Sequence, residues 1–180
     1  MMIHPHSLVQ RQRALFGALM LSLALSFGLP AWSQELWNGV SVGMSVPQVV
    51  QAHPGAAPNP FPEELYGGAK DILVDPHHEF AGAIYAVRYF FDGEELIQVT
   101  LTLDKTTVRN RHMKARFKAV LAELSAEFGP PDHLEYPIDR KFDDFNASWA
   151  QDPRRISILA YGNGSKLLNV NFQDAAYWEQ

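Results

Sequence analysis

The chain has no cysteine in 180 residues. No disulfide can staple it, no thiolate can hold a metal, and no lipid can be attached through a cysteine near its start. Basic residues are sparse as well: 15 Lys and Arg against 20 Asp and Glu leave a net charge of −5, which disfavours a general nucleic-acid binder. The Gly-x-Ser-x-Gly spelling at Gly39-Val-Ser41-Val-Gly43 reads as a short strand and a glycine turn before a capped helix and not as a nucleophile elbow, and there is no glycine-rich phosphate loop. His53, His112 and His133 are scattered and lack the i, i+4 spacing of a helical metal site. These absences remove the common enzymatic signatures, and the sequence implies no cofactor.

What is present begins with an address. Residues 1–13 form a basic lead with Arg11 and Arg13, residues 14–29 are almost wholly apolar, and Ala31-Trp-Ser33 offers the small residues a signal peptidase reads. The expected cut follows Ser33, with residues 1–33 removed. The competing reading, a membrane anchor, asks for about 20 apolar residues, more than this run supplies before Pro30. Loss of the two arginines leaves 13 basic residues against 20 acidic, a mature charge of −7. An exported, unlipidated, cysteine-free chain points to a periplasmic location. Residues 34–180 are long enough for one self-sufficient core.

The mature chain opens on Gly39-Val-Ser-Val-Gly-Met-Ser-Val-Pro-Gln-Val. Ser45 is a good N-cap, Gln48 can complete a capping box, and Pro47 sits in the first turn, where its missing N–H costs nothing. Met44 and Val49 fall where a hydrophobic staple packs. His53-Pro-Gly55 stops the helix. A proline-rich loop, a short strand at residues 72–74 and a polar loop at 75–79 follow.

Tyr85, Val87, Tyr89 and Phe91, then Ile97, Val99, Leu101 and Leu103, occupy alternate positions. That period of two predicts a hairpin with one oily face and one wet face. Keeping both sets on one face asks for an odd loop, which the two-residue Asp92-Gly93 turn does not supply. Residues 107–128 change period: Met113, Phe117, Val120, Leu121, Leu124 and Phe128 form one helical stripe, ended by Gly129-Pro-Pro131. A second hairpin pairs Ile156, Ile158 and Ala160 with Leu168, Val170 and Phe172 around Gly162-Asn-Gly164. The element order repeats at about 65 to 70 residues. The expectation is an α+β fold of two tandem α-β-β-β units, about 39–104 and 106–174, forming one antiparallel sheet with helices on one face.

The opening motif, the glycine-proline stop and the strands after it resemble the small outer-membrane assembly proteins of the SmpA/OmlA type. The duplicated form resembles the β-lactamase inhibitor protein fold. The resemblance implies an envelope protein that works by binding other proteins, and it carries no catalytic residue across. Two departures stand out: those lipoproteins carry an acylated cysteine, absent here, and their unit is single.

Three sets of residues are candidates for function, and a fourth option names no residues. The outer sheet face places Arg88, Phe90, Gln98, Leu159 and Tyr161, with Leu96 and Thr100, on a mixed aromatic and polar surface suited to an envelope protein partner; singly exposed apolar residues are also ordinary. Loops 58–68 and 134–144 would flank it. Arg109, Arg111, Lys114 and Arg116 form a basic run fit for an acidic partner or peripheral membrane contact, or simply a solvated helix face if the helix begins later. His77, His78 and Glu79 are the place for a metal or hydrolytic site, against the plainer reading of a polar loop. The fourth option is a carrier of a small apolar ligand between helices and sheet.

Overall fold

The computed structural model describes residues 34–106, 112–135, 145–161 and 167–179. In chain order the elements are β1 (Glu35–Trp37), β2 (Val40–Ser41), α1 (Val46–Ala52), β3 (Ala57–Pro58), β4 (Lys70–Phe80), β5 (Ala83–Asp92) and β6 (Glu95–Leu103). They continue with α2 (Met113–Phe128), β7 (His133–Glu135), β8 (Phe145–Gln151), β9 (Arg154–Tyr161), β10 (Leu167–Asp174) and α3 (Ala175–Trp178). β1 and β2 form a small ribbon, and the other eight strands form one antiparallel sheet in the order β3-β4-β5-β6-β10-β9-β8-β7. The fold is α+β, and both expected hairpins lie in that one sheet.

The capping residues act as their types dictate. Gln48 Oε1 accepts from the Ser45 N–H at 2.8 Å, satisfying a donor at the helix entrance. α1 ends at His53, whose N–H donates to Val49 O.

The long helix starts at Met113, and the expected residues 107–111 lie outside the described residues. α2 packs over β8 and β9 and buries Met113, Phe117, Val120 and Leu124, each stabilising the fold by roughly 1.5–3 kcal/mol through the apolar surface it removes from water. Those residues join Val87, Tyr89, Val99, Leu101, Trp149, Ile156, Ile158, Val170 and Phe172 in one core cluster. The alternation therefore resolves as expected across most of the sheet, with Arg88 and Thr100 on the opposite face from Val87 and Val99.

The loop-parity conflict is resolved by a β-bulge. Asp92 pairs with Glu95 and Phe91 with Leu96, but Phe90 pairs with Gln98. Ile97 is the extra residue, and inserting one residue reverses the facing of everything beyond it. Leu96, expected on the outer face, therefore joins the core cluster, while Ile97, expected in the core, is buried outside it.

Two other expectations change. The polar run 75–79 is not a loop: β4 carries it as strand through a second bulge between Asp75 and His78. Ala81 and Gly82, both at positive φ, make the two-residue turn from Phe80 to Ala83, as a primed hairpin turn demands. Helices are also not confined to one face, because Trp178 of α3 borders a groove with Ser157, Asn171 and Gln173, opposite the core strands' apolar side.

Candidate functional site

The segment 59–69 between β3 and β4 is built around one carboxylate. Asp71, fully buried at the start of β4, accepts from Asn59 Nδ2 at 2.9 Å, from the Glu63 N–H and from Arg88 Nε. Arg88 also donates through Nη1 to Glu63 Oε2 at 2.9 Å. Burial pulls the Arg88 guanidinium down, but its bonds to Glu63 and Asp71 outweigh that and hold its pKa above the ordinary value. Backbone bonds complete the base: Asn59 N–H to Ile72 O, Asp71 N–H to Glu63 O and Leu65 N–H to Ala69 O. Lys70 pairs with Glu64 at 3.3 Å. Tyr177 of α3 reaches across to donate to Gly67 O at 3.0 Å.

This well-tied loop turns two aromatic rings outward. Phe61 is 84% exposed and Tyr66 96% exposed. Each of the loop's two acidic side chains has a basic partner, so what it presents is apolar area on a braced backbone.

Beneath and beside the loop, the polar face carries a ladder of side-chain hydrogen bonds. Gln173 donates to Gln98 at 2.9 Å, Gln98 to Thr100 at 2.8 Å, Thr100 to Asn171 at 3.0 Å and Asn171 to Ser157 at 3.2 Å. The row follows the strand register, since Thr100 pairs with Asn171 and Asn171 with Ser157. Gln98, Thr100 and Asn171 are buried; their mutual bonding satisfies groups that would otherwise be costly to remove from water.

Beyond the ladder the face is accessible. Ser148, Ser157, Leu159, Arg155, His133 and Trp178 border a groove of about 520 Å³, with no carboxylate among its lining residues. Leu159 is 38% and Tyr161 37% exposed.

The expected protein-binding set is thus divided. Leu159 and Tyr161 are exposed, whereas Phe90 and Gln98 are buried and Arg88 is spent on Asp71 and Glu63. The expected basic patch is not assembled as drawn either. Arg109 and Arg111 lie outside the described residues, and Arg116 donates to Gly82 O at 2.7 Å, clamping the β4–β5 turn; Lys114 is exposed. His77 and Glu79 are exposed, while the bulge turns His78 onto the Trp37 ring, with centroids 5.0 Å apart. Among the described residues, no three His, Asp or Glu side chains converge as a metal site requires. Asp132 accepts from the Ala150 N–H and Glu135 from Asn146, so the Asp132-His133-Glu135 carboxylates brace β8. Of the flanking loops, residues 136–144 lie outside the described residues.

Phe61 and Tyr66 were not singled out by the sequence, although a signal exists in it: two large aromatics set among prolines and glycines where no alternation offers them a core face. Among the described residues, no helix is long and apolar enough to cross a membrane. Comparison with protein-family models, with curated proteins and with solved structures finds no match.

Proposed function

We propose that this is an exported periplasmic adaptor that binds an envelope protein without catalysis, using loop 59–69 as its main contact and the groove beside Leu159 as a second. The observation that carries the reading is the pair Phe61 and Tyr66, almost wholly in water on a backbone tied to buried Asp71. Aromatic side chains on rigid supports contribute large contact area at low ordering cost, and they dominate binding hot spots.

In this reading the chain is a duplication of α-β-β-β units. Each half supplies a helix, a short edge strand and three longer strands, and the halves meet at β6 and β10. That arrangement supports the resemblance to SmpA/OmlA-type proteins and to the β-lactamase inhibitor fold, and the leader at 1–33 supports export.

The test is site-specific photo-crosslinking in the exported protein, with the reactive amino acid at position 61, 66 or 159 and at exposed Glu123 of α2 as control. Discrete polypeptide adducts from 61 and 66 that are missing at 123, with an adduct from 159 that disappears in an F61A/Y66A background, support the adaptor. The same adducts at all positions, or none at 61 and 66, reject it.

A further inference from the structure

A second site lies away from that surface, at the other end of the core, where β1, β4, the end of α2, β9 and β10 meet. A cleft of about 440 Å³ opens there, with Trp37, Phe128 and Phe172 among its walls and Arg154, Glu35 and Glu127 as its charges. Its volume falls in the range of small-molecule sites.

The charges are arranged in an unusual way. Arg154 spends one terminal nitrogen on two backbone carbonyls, Glu35 O at 3.1 Å and Leu36 O at 3.2 Å, and its guanidinium lies 4.8 Å over the Phe128 ring. Among the described residues, its buried Nε has no hydrogen-bond partner. Desolvation lowers its pKa, only partly offset by the fields of Glu127 and Glu35. Both carboxylates therefore act on the cation, yet among the described residues neither closes an ion pair with it. One Glu35 oxygen is held by the Gly39 N–H at 2.7 Å, which keeps that side chain in place. A cation and two carboxylates thus border one aromatic cleft without neutralising one another.

We propose that this cleft binds a small zwitterion with an apolar side chain, a free hydrophobic α-amino acid. The ligand's carboxylate would meet Arg154, its ammonium would meet Glu127 and Glu35, and its side chain would lie against the Trp37, Phe80 and Phe128 rings. A simple apolar ligand would leave the charges unused, and a simple anion would face two carboxylates. Charge-assisted bonds at both ends give the zwitterion an advantage over either half of it.

The experiment uses the full mature chain, with calorimetry and the Trp37 indole N–H resonance as readouts. The probes are L-phenylalanine, phenylacetate, which lacks the ammonium, and 2-phenylethylamine, which lacks the carboxylate. The expected result is saturable binding of phenylalanine that shifts the Trp37 signal, with each half-ligand at least about tenfold weaker. Because Arg154 also holds the β1 backbone, the decisive variant is Glu127→Gln, at an exposed position. It should weaken phenylalanine by about tenfold, leave phenylacetate no weaker, and keep the melting temperature. The inference is overturned if phenylalanine gives no saturable signal, if the half-ligands match it, or if E127Q binds it unchanged.

Discussion

The two halves of the sheet present their polar faces differently. On the side of β4 and β5, the row beside Thr100 holds Arg88, and Arg88 is locked to Asp71 and Glu63, with loop 59–69 built on that lock. On the side of β9 and β8, the corresponding row holds Ser157 and Ser148, two small hydroxyls bordering an accessible groove. One cation and one buried carboxylate thus separate a covered face that displays aromatics above it from an open face that displays its own strands. The lesson is that equivalent strands acquire different surfaces through a single charged row, with the apolar rows beneath left alike.

The comparison breaks most severely at Asp71. Asp71→Ala strips three donors of their acceptor and leaves Arg88 half-buried without its inner partner, and removing one member of a buried pair costs about 3–5 kcal/mol. Chemical denaturation of this variant should show that loss, and limited proteolysis should cut within 59–69. Asn171→Ala, at the centre of the ladder, should cost about 1–3 kcal/mol, because Thr100 and Ser157 each lose a partner in a buried or half-buried site. Ser157→Ala, which removes one long bond on the open side, should cost no more than about 1 kcal/mol. An equal loss at Ser157 and Asp71 would erase the contrast between the halves.

The core below offers a smaller test. Tyr85 and Tyr89 are wholly buried, and among the described residues neither hydroxyl has a hydrogen-bond partner. Tyr85→Phe and Tyr89→Phe should each be neutral or stabilising by up to about 1 kcal/mol, read as a rise in melting temperature. Burial raises the Tyr85 pKa to about 12, with Arg116 pulling weakly the other way. A phenol held protonated in the fold but free to ionise when unfolded leaves stability independent of pH below 10 and lowers it as pH rises from 10 to about 12. Y85F should therefore show a shallower decline in stability across that window.

Much of this architecture was legible in the residues. The alternation around Val87 and Val99, the stripe from Met113 to Phe128 and the Ser45–Gln48 entrance each state a local rule that the tertiary fold keeps. Two of the sheet's register shifts show what was not legible. One extra residue at Ile97 exchanges the faces of Leu96 and Ile97, and no residue type announces it, although the mismatch between an even turn and the alternation marked where it had to be. The second bulge kept the polar run 75–79 in a strand, where composition alone read a loop.

The surface was less readable than the core. Arg88 alternates like an exposed residue, and its role became visible only when Asp71, seventeen residues away, came beside it. Phe90 and Gln98 were expected in water for the same reason, because alternation reports which face a side chain takes but not what later covers that face. Phe61 and Tyr66 belong to no periodic pattern, so pattern reading passed over them, and their exposure follows from a loop fixed by side-chain rather than ladder hydrogen bonds.

The account rests on loop 59–69 being a braced platform for Phe61 and Tyr66. Native-state amide hydrogen exchange on the mature chain reads this directly at Glu63, Leu65 and Asp71, whose N–H groups donate to Asp71 Oδ1, Ala69 O and Glu63 O. Protection at those three amides close to that of the β5–β6 ladder, and its collapse in the Asp71→Ala chain, is the predicted result. Exchange at unfolded-chain rates in the unmodified protein would contradict it.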